Sequence, residues 1–214
     1  MSTTTTTFTV AASADDGFVS VATSSSTIPT SGWGSPSNSG ASMVIGGQED
    51  YSYWPNIYTH YLGYFRFQNI TVAQGATISS AYLKPYQSSS SSKTLTVKGL
   101  DKDNASAPSG GSELASSNFT SAGITDFASG TGAGQKTSPD IKTIIQEIVN
   151  RAGWSSGNAM MLAVYTTSWS GIWNARSYDY SSASEAAQLV IEYSSGSSTP
   201  IAAISMNHYR QQRI

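Results

Sequence analysis

Apolar residues fall at every second position in one short segment of this chain after another, and at every third or fourth position in only one. A period of two places alternate side chains on opposite faces of a strand. Tyr61 to Gln68 sets Tyr64, Arg66 and Gln68 on one face and Phe65 and Phe67 on the other. Thr77 to Tyr86 alternates likewise, and Thr94 to Leu100 turns Leu95 and Val97 to one side. Shorter segments read as strands at Thr5–Val10, Phe18–Val21, Met43–Ile45 (closed by Gly46-Gly47), Ala159–Tyr165 and Gln188–Tyr193. The stretch 101–134 reads as loop with one weak strand, and 24–41 and 166–187 as long loops. The exception is Ile141, Ile144, Ile145, Ile148 and Val149, whose i, i+3, i+4 spacing predicts an amphipathic helix from Pro139 to Arg151. Ser138 stands at its N-cap, Pro139 at its first position, and Gly153 past its end. Many short strands with one helix predict an all-β, jelly-roll-like sandwich with that helix packed on it.

The chain of 214 residues suits one such domain, taken as 1–194, then a flexible linker 195–200 and a tail 201–214. Charged residues make up 11%, about half the usual share, but 38% apolar residues provide for a core. Hydroxyls and amides therefore carry the surface. A net charge of −2 with no basic stripe argues against a nucleic-acid partner. The absence of cysteine removes disulfides, thiol catalysis and thiolate metal sites. The first residues lack the basic and apolar regions of a signal peptide, and no apolar run approaches a membrane span. The expectation is a protein made in the cytoplasm, without a membrane partner. No GxSxG, HExxH or P-loop motif occurs. His60 sits among tyrosines and reads as a packed histidine, and Glu49 with Asp50 is the nearest approach to a glycosidase pair. These features point away from an enzyme, with no catalytic residue assigned.

The aromatic loops are the sharpest feature. Trp33, Trp54, Trp169 and Trp173 fall in loops or at strand ends, with Tyr178 beside the last two. Rings of that size are costly to leave wet. Three readings stay open: stacking on glycans, contact with a protein partner, or capping of the sandwich ends. Asp15 and Asp16, and Asp101 with Asp103, form short acidic turns that could supply oxygen ligands to Ca²⁺, although aspartate is also an ordinary turn former.

Five segments together carry a resemblance: ADDGFV (14–19), YFRFQNITVAQGATISSAYLKPY (64–86), LDKDNAS (100–106), SPDIKTIIQEIVNRAGWSSGNAMMLAV (138–164) and AAQLVIEY (186–193). In order and spacing they resemble the DNRLRE-like jelly-roll domains, which are similar to carbohydrate-binding modules and occur in bacterial surface proteins and phage structural proteins. The resemblance implies a β-sandwich with a binding or structural role, and places Asp15 and Asp16 near a ligand or calcium end. The expected function is a non-enzymatic phage virion protein, a capsid decoration or head surface protein located on the virion surface. Its tail, through Ile201, Ile204, Met206, Tyr209, Arg210 and Arg213, is expected to dock on another virion protein such as the major capsid protein. Self-association, for instance as a trimer, is expected with it. The alternative is a carbohydrate-binding module or host-adsorption protein that binds surface glycans.

Overall fold

The computed structural model describes residues 2–167, 171–180 and 184–194. Among these residues are twelve strands and one α-helix. The strands are β1 (Thr4–Thr9), β2 (Asp16–Thr23), β3 (Ser42–Asp50), β4 (Ile57–Phe67), β5 (Thr77–Lys84), β6 (Tyr86–Gln87), β7 (Thr94–Leu100), β8 (Phe119–Ala128), β9 (Gly134–Gln135), β10 (Met160–Thr166), β11 (Gly171–Arg176) and β12 (Gln188–Ser194). The helix α1 is Lys142–Val149. The fold is an all-β sandwich with one helix. A three-stranded sheet orders β1-β12-β5, and a nine-stranded sheet orders β8-β7-β10-β4-β3-β11-β6-β9, with β2 pairing β4. All strand pairings are antiparallel.

The alternation along β4 decides the layering. Phe65 and Phe67 enter the main core with Met43, Ile45, Leu95, Val97, Leu162 and Trp173, against the isoleucine face of α1. Leu62 and Tyr64 point the other way, into a second cluster with Val19, Trp33, Leu114 and Met161. The large sheet is thus buried on both faces. Its second face is covered by two long connections, 24–41 and 101–118. They are joined where the Ser116 N–H donates to the Thr30 carbonyl at 2.8 Å. Gly111 lies so close to the Trp33 and Gly34 carbonyls that any Cβ there would collide with backbone.

The helix is shorter than the periodicity predicts, for a reason seen at the edge of β5. Residues 136–141 run beside β5 as an extended strap. The Ser138 N–H donates to the Leu83 carbonyl (2.9 Å) while its Oγ accepts from the Leu83 N–H (3.0 Å). The Ile141 N–H reaches the Ala81 carbonyl (2.8 Å), and Asp140 Oδ1 accepts from the Ala81 N–H (3.0 Å). Ser138, the expected N-cap, is therefore committed to the sheet. Asp140 Oδ1 also takes the Lys142 N–H (2.9 Å), so the first turn forms only after it. From within α1, Gln146 completes the seal: its Oε1 accepts from the Ile78 N–H (2.9 Å) and its Nε2 donates to the Ala76 carbonyl (2.8 Å). An edge strand otherwise offers unpaired backbone groups to other chains, and here side chains of the strap and the helix stand in for a neighbouring strand.

Three other expectations are corrected. Gly46-Gly47 does not close β3, which runs on to Asp50 because Gly46 (φ +118°) lets the strand lie against Gly171. The stretch 101–134 contains a full ten-residue strand, β8, with Phe127 as its deep anchor. The region 166–187 is not one loop: β11 crosses it and carries Trp173 into the main core.

Candidate functional site

The hairpin that joins β3 to β4 carries the exposed aromatics of the described residues. Tyr51 is 73% exposed, Tyr53 56% and Trp54 96%; these are the large hydrophobics that remain at the surface. A hairpin tip has no sheet on either side, so rings placed there have nothing to pack against. The tip is braced by two carboxylates. Asp50 Oδ1 accepts from the Ser52 N–H at 2.9 Å, and Glu49 Oε1 accepts from Asn56 Nδ2 at 2.8 Å. Desolvation is the largest single influence on Glu49 and opposes its ionisation, but hydrogen bonds from Tyr51, Asn56 and Tyr58 together outweigh it and hold the carboxyl below its usual range. Asp50 is lowered by its Ser52 hydrogen bonds. Both carboxylates are therefore charged at neutral pH. A polar depression of about 550 Å³ at the tip is lined by Glu49, Asp50, Tyr51 and Ser52. An apolar one of about 370 Å³ is lined by Ala22, Tyr53, Trp54, Pro55 and Ile57.

A third concavity, a cleft of about 250 Å³, opens on the second face of the large sheet. Leu62 of β4 lines it together with Ile28, Pro29 and Trp33 from one long connection and Phe119 and Tyr165 from the other side. The Phe119 and Tyr165 rings are stacked, with centroids 6.3 Å apart. Hydroxyls of Thr27, Thr30, Ser116 and Thr167 stand around it, and the lining holds no carboxylate or imidazole.

The tryptophans expected to act alike are separated by this architecture. Trp54 is free at the tip. Trp33 is 7% exposed and walls the cleft, and Trp173 is fully buried, so neither offers an open ring face. Sequence reading misplaced Trp173 because it treated 166–187 as loop. Tyr178 packs partly buried against the main core, and Trp169 and the tail residues Ile201, Ile204, Met206, Tyr209, Arg210 and Arg213 lie outside the described residues. The sequence alone does not mark Tyr51, Tyr53, Phe119 or Tyr165 as contact residues. The first two do fall in the run YSYWPN, too short and too polar at its ends to form a strand. The cleft, assembled from four segments spread between residues 27 and 167, has no local signature.

The aspartates considered for calcium are drawn to different partners. Asp15 is buried and paired to Arg66, with its other oxygen accepting from Gln68 Nε2 at 2.7 Å. Asp101 and Asp103 both bind Arg151, the latter at 2.6 Å. Asp16 is fully buried; its Oδ2 accepts from the Tyr178 N–H at 2.8 Å, and Oδ1 has no partner among the described residues. Burial raises Asp16 to about 7, against the help of the Tyr178 N–H, and the charges of Asp179 and Asp15 add to the rise. Burial, then the Asp16 charge, pushes Tyr64 nearby up to about 12. Among the described residues no three acidic or imidazole groups converge as a metal site. His60 is fully buried, with Nε2 3.0 Å from the Ser25 carbonyl and Nδ1 without a hydrogen-bond partner among the described residues.

No protein-family model matches the chain, and no curated protein matches it.

Proposed function

We propose that this chain is a non-enzymatic surface protein of a phage particle, a capsid decoration or head surface component that makes contact through the tip of the β3–β4 hairpin. The observation that carries the reading is the clustering of Tyr51, Tyr53 and Trp54 on one braced tip. Contiguous exposed aromatics are enriched at recognition surfaces and supply a large share of binding energy there. A sandwich covered on both faces of its larger sheet is a rigid mount for such a tip. The resemblance of the chain to jelly-roll domains of phage structural proteins supplies the setting. Mass spectrometry of purified particles from cells that produce the chain tests this. The chain is expected in the particles at a fixed copy number, and Trp54→Ala is expected to lower its incorporation about tenfold. Absence from the particles, or equal incorporation of the variant, refutes the proposal.

The cleft supports a second reading, as a glycan-binding module. The half-buried rings of Phe119 and Tyr165, with surrounding hydroxyls and no charge, suit a neutral sugar better than an ionic ligand. On a glycan array Tyr165→Ala should then abolish binding while Trp54→Ala leaves it intact.

A further inference from the structure

We propose that the β3–β4 tip receives the C-terminal segment 201–214 of a second copy of this chain, so that copies join head to tail. This rests on the reading of the tip as a contact surface and names its occupant. The two depressions at the tip differ in chemistry, apolar beside Tyr53, Trp54 and Ile57, acidic beside Glu49 and Asp50. The segment 201–214 has the same two-part character in order. Ile201, Ile204 and Met206 come first, then Tyr209, Arg210 and Arg213, with no acidic residue from 195 onward. Neither Glu49 nor Asp50 forms an ion pair among the described residues. A guanidinium from the segment would find the Tyr51 ring and the Glu49 and Asp50 carboxylates lining one depression, the arrangement that favours arginine over lysine.

Chain geometry selects a second copy over the same one. Ser194, the last described residue, pairs with Thr77, just past the Gly75 N–H bond to the Val149 carbonyl at the end of α1. That is the end of the sandwich where β4 finishes, and the tip is where β4 begins. The eleven residues of β4 span about 35 Å. From Ser194 to Ile201 the backbone extends at most about 25 Å, so Ile201 does not reach its own tip, and only a second copy seats the whole segment there, apolar end included. A contact between two different patches on identical chains is heterologous, and closes into a ring or grows into a row.

The test is sedimentation analysis of the full chain over a wide concentration range, beside four variants. Trp54→Ala, Asp50→Lys, the pair Arg210→Glu with Arg213→Glu, and the combination of those two arginine changes with Asp50→Lys are compared. Asp50 and Trp54 are at the surface, and circular dichroism verifies the fold of every variant. The full chain is expected to self-associate with a concentration-dependent mass. The first three variants should weaken association about tenfold or more, and the combined charge reversal should recover most of it. A synthetic peptide of residues 200–214 should compete. A full chain that remains monomeric, or one whose association ignores Asp50 and Trp54, overturns the inference. A monomeric chain whose Trp54→Ala form still fails to enter particles would overturn it and leave the virion reading standing. An associating chain absent from particles would do the reverse.

Discussion

Replacing Asp16 by asparagine should stabilise this protein at neutral and alkaline pH, although the side chain is fully buried and hydrogen-bonded. The folded carboxyl keeps its proton up to about 7, while in the unfolded chain it ionises near 3.8. Between those values the folded state binds more protons than the unfolded one. Stability therefore falls as pH rises through that window, and the loss is complete once pH exceeds the folded value. Integrated over the window, the penalty is about 4 kcal/mol, a large fraction of the net stability of a typical domain. Asparagine keeps the acceptor for the Tyr178 N–H at nearly the same volume and has no charge to desolvate. Glu49 and Asp50 act with the opposite sign. Their lowered pKa values stabilise the fold above the unfolded values of 4.5 and 3.8, so their effect is already full by about pH 5.5. The range from pH 5.5 to 7.5 therefore separates Asp16 from Glu49 and Asp50. Urea unfolding of the parent should show a midpoint that declines across this range, and Asp16→Asn should flatten the decline and raise the midpoint at pH 8. Repeating the titration in millimolar calcium separates the metal reading, because a bound cation would keep Asp16 ionised and abolish the decline in the parent. A parent midpoint that is flat without calcium, or an Asp16→Asn protein less stable than the parent at pH 8, would refute the reasoning.

Other outcomes follow from the same contacts. Trp173→Ala should destabilise by about 3–5 kcal/mol in thermal unfolding, since it empties a fully buried site, and any loss of binding should track the loss of fold. Gln146→Ala should leave the Ile78 N–H and the Ala76 carbonyl without their side-chain partners, costing about 2 kcal/mol and accelerating hydrogen exchange at Ile78. Arg151→Met removes the tie between the α1–β10 connection and Asp101 with Asp103. These groups are partly exposed, so the cost should be only about 1 kcal/mol and should shrink in high salt.

The sequence was most informative where a single periodicity ruled a segment. β7 lies where the alternation of Leu95 and Val97 places it, and the two faces of β4 sort Phe65 and Phe67 from Tyr64 as the period of two requires. The buried residues of α1 are those the i, i+3, i+4 spacing selects. Misreadings came where a side chain's role depends on a distant segment. Ser138 looks like a helix cap until β5 lies beside it. Gly46 and Gly47 look like a stop until Gly171 is seen against the strand. Asp101 and Asp103 look like oxygen ligands until Arg151, about 50 residues later, folds back onto them.

The tryptophans show why the contact surface was harder to read than the fold. Composition treats Trp33, Trp54 and Trp173 as equivalent, and each stands near glycine, serine or proline in sequence. Their fates diverge because a ring on a strand inherits the face its register assigns, whereas a ring at a hairpin tip has no face to inherit. Trp173 is paired opposite Ile45 and goes inward with it. Trp54 lies between Asp50 and Ile57, the last pair of the β3–β4 ladder, beyond the reach of either sheet. Its neighbours Glu49 and Asp50 spend their hydrogen bonds on holding the turn in shape. Burial of the rings therefore plays no part in holding the tip together. A tip kept rigid by polar bonds while its rings remain in water loses little conformational entropy when a partner covers them. Trp54→Ala should accordingly change association far more than it changes thermal stability, the reverse of Trp173→Ala, and comparing the two variants in both assays separates a contact residue from a core residue of the same type.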